Sequence, residues 1–205
     1  MTAVTPGAVS AQCELPPRVS GAFATAVEVA SQARVQTALD RLALALSARF
    51  QAARPLCLCL SQSGLYLSGM LMQRMVFPLQ LGYLGAVDQR DGLQGALTGC
   101  LEEGLETLSG RTILLIDGIA HPTQVTPLKA WLTEQGAAEV YVCALAEPSA
   151  LGQPSADYSA LSLSALKEGA LPSEDTAMFG CGLGLEGYGR NFPALYRSYH
   201  RAAEG

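Results

Sequence analysis

Charged residues are scarce in this chain. They make up only 15% of its 205 residues, and lysine occurs only at Lys129 and Lys167. A protein with so few charges must leave much of its surface neutral or bury it against a partner. The formal net charge of −5 at pH 7 argues against non-specific binding of nucleic acid, which requires a basic surface.

Long apolar runs and targeting signals are missing as well. No apolar run reaches the length of a membrane span. The first residues contain no basic region followed by an apolar stretch, so the sequence indicates no signal peptide. The expectation is a soluble cytoplasmic protein that does not enter a membrane.

A paired metal-binding cysteine motif is also absent. The six cysteines include no C-x-x-C pair, which argues against a zinc site. Cys57 and Cys59 alternate within one apolar run, and Cys143 lies in another. We interpret them as small core residues of a reduced compartment.

Apolar residues, in contrast, are abundant. They form 49% of the chain, which is enough for one sizeable core and fits one domain better than two. Residues 1–30 contain several prolines and small residues, and they are predicted to form a loose arm with one short helix over residues 23–30. Residues 31–205 are predicted to form the domain.

Strand and helix patterns alternate along the domain. Short apolar runs bounded by turn residues predict strands at residues 56–60, 79–84, 112–116, 139–145 and 156–163. Helical spacing predicts a helix that begins after the cap Ser31 and ends before Pro55, and further helices at residues 65–75, 101–108 and 127–135. Residues 88–99 and 165–175 are predicted to be loops. The alternation indicates a mostly parallel sheet with helices on both faces.

Capping residues set the expected bounds of two helices. Ser31 is predicted to cap the first, whose buried face would contain Val35, Leu39, Leu42, Leu46 and Phe50. In the last helix, Thr126 is predicted as the N-cap, Pro127 as the first helical residue and Gly136 as the stop. That start would leave a loop between the helix and Asp117, the acidic residue at the end of the preceding strand.

Four stretches of the chain carry recognisable motifs: residues 56–69 (LCLCLSQSGLYLSG), 77–84, 113–135 and 179–193 (FGCGLGLEGYGRNFP), and Ala156-Asp157-Tyr158 adds to them. Together they resemble the hypoxanthine-guanine phosphoribosyltransferases of the type I fold. The likeness extends over residues 31–196, with one insertion near residues 164–173. It implies a single α/β domain with a central sheet of about five strands, and a small hood made from the N-terminal arm and the C-terminal segment.

The resemblance also implies a chemistry and a set of positions for it. The family transfers ribose 5-phosphate from phosphoribosyl pyrophosphate to a purine, with magnesium. The matching phosphoribosyl loop is Asp117, Gly118, Ile119, Ala120, His121, Pro122, Thr123, Gln124 and Val125. The matching pyrophosphate loop is Gln62, Ser63 and Gly64. The matching purine-pocket positions are Pro148, Ala177 and Met178.

Most of these positions depart from the family pattern. Asp117 keeps the first acid of the loop, whereas Gly118 replaces the second acid, His121 the catalytic Asp, Thr123 the glycine and Val125 the phosphate-binding Thr. Elsewhere Pro148 replaces a lysine, Ala177 the ring that stacks on the purine and Gly184 a metal-binding Asp. Each general-base or electrostatic contribution supplies a rate factor on the order of 10² to 10⁴, so very little transfer is expected. Pro122 removes a backbone donor, and a start at Pro127 would move the positive end of the helix away from a phosphate.

Two functions follow from this pattern. The first is a catalytically inactive relative that acts as a regulatory, nucleotide-sensing or partner-binding protein. It would bind phosphoribosyl pyrophosphate or a purine nucleotide, and form a homo-oligomer or a hetero-oligomer with an active relative. The alternative is an active purine phosphoribosyltransferase with a rewired site, which would use magnesium, Asp117 and His121.

Several individual side chains can be interpreted in more than one way. His121 is either a base near neutral pH or an exposed loop histidine without a role. Asp117 either binds a cation or a ribose hydroxyl, or caps the next loop. Trp131 is interpreted as a core or interface residue, and Cys181 as a small core residue. The arginines of the C-terminal segment form either a solvated face or a subunit contact, and they are Arg190, Arg197 and Arg201.

Overall fold

The computed structural model describes residues 5–84, 108–147, 155–162 and 176–199. Its helices are α1 Pro6–Ser10, α2 Pro17–Ala24, α3 Gln32–Phe50, α4 Gln62–Met72 and α5 Pro122–Glu134. Its strands are β1 Val27–Ala30, β2 Leu56–Cys59, β3 Gln80–Tyr83, β4 Thr112–Ile119, β5 Glu139–Glu147, β6 Tyr158–Ser162, β7 Thr176–Phe179 and β8 Leu195–Tyr199.

The main sheet has five strands in the order β3-β2-β4-β5-β6, and each neighbouring pair is parallel. Strand β2 is buried along its whole length, and β4 is buried over six consecutive residues. Continuous burial is expected of strands that are covered on both faces. The predicted fold class, a single α/β domain around a mostly parallel sheet, is confirmed.

Two apolar layers cover this sheet. Helices α3 and α4 pack on one face, and the residues predicted for the core face of α3 are all buried: Val35, Leu39, Leu42, Leu46 and Phe50. Helix α5 packs on the other face through Val125, Leu128 and Leu132. Trp131 is half-buried against this second layer. None of the helices in the described ranges is both long and apolar enough to cross a bilayer.

Four cysteines are buried free thiols: Cys57, Cys59, Cys143 and Cys181. Burial raises the pKa of both Cys57 and Cys181 to about 12, so these thiols stay protonated near neutral pH. Their interpretation as small core residues is confirmed. Cys13, by contrast, is exposed.

A second, antiparallel sheet of order β1-β8-β7 forms the hood. It joins the N-terminal arm to the C-terminal segment, as predicted. Its core is an aromatic cluster in which Phe23 stacks on Phe179 with ring centroids 4.9 Å apart, and which also contains Phe192 and Tyr196. The short helix predicted over residues 23–30 is wrong, because residues 27–30 pair with β8 as a strand. The domain boundary at residue 30 stays a prediction.

Some element bounds also differ from the predicted ones. Helix α4 begins at Gln62 and not at residue 65, because the polar residues interpreted as a turn are its cap and first turn. Strand β4 runs three residues further than predicted, to Ile119. The predicted loops at residues 88–99 and 165–175 lie outside the described residues, as does the predicted helix at residues 101–108 except for its last residue.

Candidate functional site

The two loops matched to phosphate binding meet at the carboxyl end of the main sheet. Strands β2 and β4 are parallel neighbours, with Cys59 opposite Ile116. The chain that leaves β2 therefore lies beside the last residues of β4. In open α/β sheets, ligands bind at this edge. The structure thus brings together the two loops that the sequence assigned to one site.

Asp117 links these loops. The residue is 5% exposed. Its Oδ1 accepts hydrogen bonds from Ser61 Oγ, from Ser63 Oγ at 3.0 Å and from the Gly118 N–H at 2.7 Å. The carboxylate therefore holds the end of β4 against the start of α4. This geometry matches the capping interpretation of Asp117, although the loop it binds is the one that follows β2.

Helix α4 starts against the backbone of β4. Ser61 is its N-cap, and Ser61 Oγ accepts a hydrogen bond from the Gly64 N–H at 3.1 Å. A Cβ added at Gly64 would lie 2.2 Å from the carbonyl oxygen of Ile116. Only glycine allows this approach. Ser63 is buried beside it, whereas Gln62 is exposed.

The position of the second family acid, Gly118, has no room for a side chain. A Cβ added there would lie 2.4 Å from Ser63 Cβ and 2.8 Å from Leu183 Cδ2. Both distances are shorter than any ordinary carbon–carbon contact. Ser63 and Leu183 therefore fill the space that a carboxylate side chain at this position would need.

The position of the metal-binding family acid, Gly184, is filled in a similar way. A Cβ added there would lie 2.8 Å from Arg190 Cγ. Arg190 Nη1 donates a hydrogen bond to the Gly182 carbonyl at 2.7 Å, and its buried Nε has no partner among the described residues. A solvated arginine face is therefore wrong for Arg190, which is half-buried, and for Arg197, which is 7% exposed.

Helix α5 begins at Pro122, and the predicted start at Pro127 is wrong. Proline favours the first position of a helix, and both Pro122 and Pro127 could take it. Pro122 does so in the structure, and Pro127 lies inside the helix. The N–H groups of Gln124 and Val125 both donate to the His121 carbonyl, at 2.9 and 3.0 Å. The positive end of the helix thus stays next to β4, contrary to the expectation from a late start.

Side chains of this second loop point in different directions. His121 is exposed, and its side chain makes no capping hydrogen bond to α5. Val125 is 2% exposed and belongs to the core beneath the helix. Ala120 is fully buried, and its carbonyl accepts a hydrogen bond from Ser155 Oγ at 2.6 Å. Of the remaining loop residues, Ile119 and Pro122 are half-buried, and Thr123 and Gln124 are exposed.

The positions matched to the purine pocket lie apart from the two loops in sequence and belong partly to the hood. Ala177 and Met178 are on β7. Met178 is 8% exposed and packs in the core of the main sheet, whereas Ala177 is half-buried against the hood cluster. Pro148 lies outside the described residues.

The donor set does not fit the magnesium that the resemblance implies. Of the acids that this chemistry would use, only Asp117 carries a carboxylate, and one of its oxygens already accepts three hydrogen bonds. Within the described ranges, no group of three His, Cys, Asp or Glu side chains could hold a metal ion. Hard cations such as magnesium need oxygen ligands that are free to coordinate.

Two residues that were not predicted belong to this region: Ser61 and Leu183. Ser61 follows a strand and precedes a helical run, which is an ordinary N-cap signal that could have identified it. Leu183 has no such signal, since its role comes from a long-range contact with Gly118.

Comparison with known proteins gives a fold but no sequence relative. No family model and no curated protein sequence matches the chain. A hypoxanthine-guanine phosphoribosyltransferase from Bacillus anthracis is similar in structure, with 14% identity, a TM-score of 0.64, and 84% of this chain and 97% of that chain covered.

Two further solved structures are similar to the same extent. The hypoxanthine phosphoribosyltransferase from Staphylococcus aureus has 16% identity and a TM-score of 0.64, covering 86% of this chain and 93% of that one. The enzyme from Trypanosoma cruzi, solved with its product IMP, has 14% identity and a TM-score of 0.63, covering 85% of this chain and 90% of that one. The chain therefore has the type I phosphoribosyltransferase fold.

Proposed function

We propose that this chain is a non-catalytic relative of the purine phosphoribosyltransferases, which acts as a regulatory or partner-binding protein. The main support is the hydrogen bonding of Asp117. Its carboxylate accepts hydrogen bonds from Ser61, Ser63 and Gly118 through one oxygen. A carboxylate held in this way stabilises the protein and leaves only its second oxygen for a metal or a ribose.

The chemistry of transfer supports the same proposal. Release of pyrophosphate needs cations or donors placed where negative charge develops. The positions that would supply a metal ligand, Gly118 and Gly184, have no side chain. The position of the phosphate-binding Thr is Val125, which is buried in the core. The negative charge that develops on the departing pyrophosphate would therefore lack its usual stabilisation.

An active enzyme with a rewired site remains the alternative function, and the start of α5 favours it. Because α5 begins at Pro122, its positive end lies directly after β4, as a site for a phosphate requires. His121 is exposed at this point, where its imidazole would be accessible to a ligand. Such an enzyme would release pyrophosphate from phosphoribosyl pyrophosphate in the presence of a purine and magnesium.

Calorimetric titration tests both functions. Phosphoribosyl pyrophosphate and GMP would each be titrated with and without magnesium, and pyrophosphate release would be followed with hypoxanthine and guanine. We expect no turnover. Turnover that is lost in Asp117→Asn and His121→Ala would establish the active enzyme. Binding without turnover would support a nucleotide-sensing role, and the absence of both would support a partner-binding role.

The proposed partner-binding role includes self-association or association with an active relative, in the cytoplasm. The outer face of α4 and the residues just after it expose three apolar side chains, Leu65 at 53%, Met72 at 39% and Val76 at 97%. Exposed apolar patches are typical of interaction surfaces. Light scattering after size exclusion, alone and mixed with an active phosphoribosyltransferase, would test this assignment.

A further inference from the structure

Helix α5 contains a proline in its interior, Pro127, after a first turn formed by residues 122–126. Proline has no backbone N–H, so the Thr123 carbonyl does not receive the hydrogen bond that a regular helix would give it, and the proline ring crowds that carbonyl. The residue before a proline, here Thr126, is also disfavoured in the helical conformation. The helix therefore has a weak point directly after its first turn.

The first turn of α5 has few contacts with the rest of the protein. Of its residues, only Val125 is buried, at 2% exposed. Within the described part of the chain, none of its side chains makes a hydrogen bond or an ion pair. The cap, His121, contributes its carbonyl, which accepts from the N–H groups of Gln124 and Val125 at 2.9 and 3.0 Å. One apolar side chain and a few backbone hydrogen bonds thus hold this turn in place.

The remainder of α5 is anchored much more firmly. Leu128 and Leu132 are buried in the apolar layer on the main sheet. Lys129 Nζ lies 3.1 Å from Asp157 Oδ2 in an ion pair. At the other end of the helix, the Ala137 N–H donates a hydrogen bond to the Leu132 carbonyl at 3.1 Å. The body of the helix can therefore keep its place when its first turn changes.

The sequence supplies a second start for the helix at the weak point. Threonine caps helices through its hydroxyl, and Thr126 is exposed. Pro127 would then hold the first helical position, where its missing N–H has no cost. The start at Pro122 also places a proline first, but its cap makes no side-chain hydrogen bond. The longer helix keeps Val125 buried, whereas a shorter one would remove a proline from the helix interior.

We infer that α5 is a two-state element, in which the long helix from Pro122 exchanges with a shorter helix from Pro127. In the short state, residues 122–126 are unwound, and the positive end of the helix lies about 7.5 Å further along its axis. The loop that follows β4 then has two shapes. A ligand or partner that prefers one of them shifts the balance between the two states.

Amide hydrogen exchange of the full chain, followed by NMR, tests for the two states. The Val125 N–H is hydrogen-bonded to the His121 carbonyl only in the long state. The Leu132 N–H lies in the helix body, where its hydrogen bond persists in both states. After correction for intrinsic rates, we expect the Val125 N–H to exchange at least about tenfold faster than the Leu132 N–H.

The two prolines offer matched substitutions with opposite expected effects. Pro127→Ala restores the missing N–H of the long helix and should slow exchange at Val125 by about tenfold. Pro122→Ala is the control, because it removes the proline that favours the long start, and it should accelerate exchange at Val125. Thr126→Ala removes the cap of the short helix and should slow exchange by a smaller factor.

Equal protection of the Val125 and Leu132 N–H groups in the parent chain would overturn the two-state helix. A change in the same direction in Pro127→Ala and Pro122→Ala would overturn it as well. If Pro127→Ala does not fold, Thr126→Ala at its exposed position replaces it, and unchanged exchange there counts against the inference. None of these outcomes depends on catalysis, so turnover would contradict the non-catalytic function and leave the two-state helix standing.

Discussion

The two helices that start at the carboxyl end of the main sheet, α4 and α5, begin in opposite ways. At α4, the Ser61 hydroxyl caps the helix, and Ser61 and Ser63 both bind the carboxylate of Asp117. At α5, the capping residue His121 is exposed and makes no side-chain hydrogen bond to the helix. Both starts belong to loops that the sequence matched to phosphate binding, yet only α4 is capped by a side chain of the protein.

The difference shows how the start of one helix can be closed to an external anion while that of another stays open. A helix N-terminus carries a partial positive charge that favours an anion. At α4, the protein supplies this anion as Asp117, so a phosphate arriving there would meet a carboxylate. At α5, no acidic residue lies in the first turn. If any affinity for a phosphate remains, we expect it at α5.

The largest expected effect comes from the close contact that places α4. Gly64→Ala would put a Cβ 2.2 Å from the Ile116 carbonyl oxygen, and neither backbone can move without disturbing the pairing of β2 with β4. We expect a loss of about 3 kcal/mol in the free energy of unfolding, the upper end for overpacking. Urea denaturation followed by circular dichroism would measure it.

The same helix offers a matched control in Gly69→Ala. A Cβ added at Gly69 has no neighbour within 4 Å. Alanine inside a helix is more favourable than glycine by about 0.5–1 kcal/mol, so this variant should be slightly more stable than the parent. Equal stability of the two variants would contradict the close approach of α4 to β4.

Removal of the Asp117 carboxylate should have the next largest effect on the free energy of unfolding. Asp117→Ala leaves the Ser61 and Ser63 hydroxyls and the Gly118 N–H without their acceptor in a buried place. We expect a loss of about 2 kcal/mol, within the range for unsatisfied buried groups. Asp40→Ala is the control, because the Asp40 side chain is 62% exposed in its ion pair with Arg74. An exposed pair contributes less than about 1 kcal/mol, so a similar loss in both variants would contradict a buried role for Asp117.

How far the sequence predicts these two starts depends on the range of the interactions. Helix α3 was predicted well, since the spacing from Val35 to Phe50 and the cap at Ser31 are local features. The start of α5 was misplaced, because Pro122 and Pro127 both suit a first helical position, and no local feature decides between them. Strand β8 was missed, because it pairs with β1, which lies near the other end of the chain.

The candidate site follows the same rule. The two loops could be matched by residue type, since each is a short contiguous stretch. The lack of space at Gly118 could not be predicted, because Ser63 and Leu183, which fill that space, come from two other segments. A glycine in place of an acid indicates that a charge is lost. It does not indicate that other side chains have filled its place.

The cap of α4 should contribute less than Asp117. Ser61→Ala removes the acceptor of the Gly64 N–H and one donor to Asp117. Loss of a serine cap costs about 1 kcal/mol, and we expect a decrease of that size in the free energy of unfolding. The corresponding substitution at α5, His121→Ala, removes no capping hydrogen bond and should leave stability unchanged. A loss in His121→Ala as large as in Ser61→Ala would abolish the contrast between the two helices.

The smallest effect should be a gain at the start of α5. His121 has an extended backbone, with φ −93° and ψ 126°, which is the conformation of a capping residue. A serine there could accept a hydrogen bond from an N–H of the first turn, as Ser61 does in α4. We expect His121→Ser to raise the free energy of unfolding by about 0.5–1 kcal/mol relative to His121→Ala. If the serine and alanine variants are equally stable, the first N–H groups of α5 already have hydrogen-bond acceptors. They would then not be open to a phosphate.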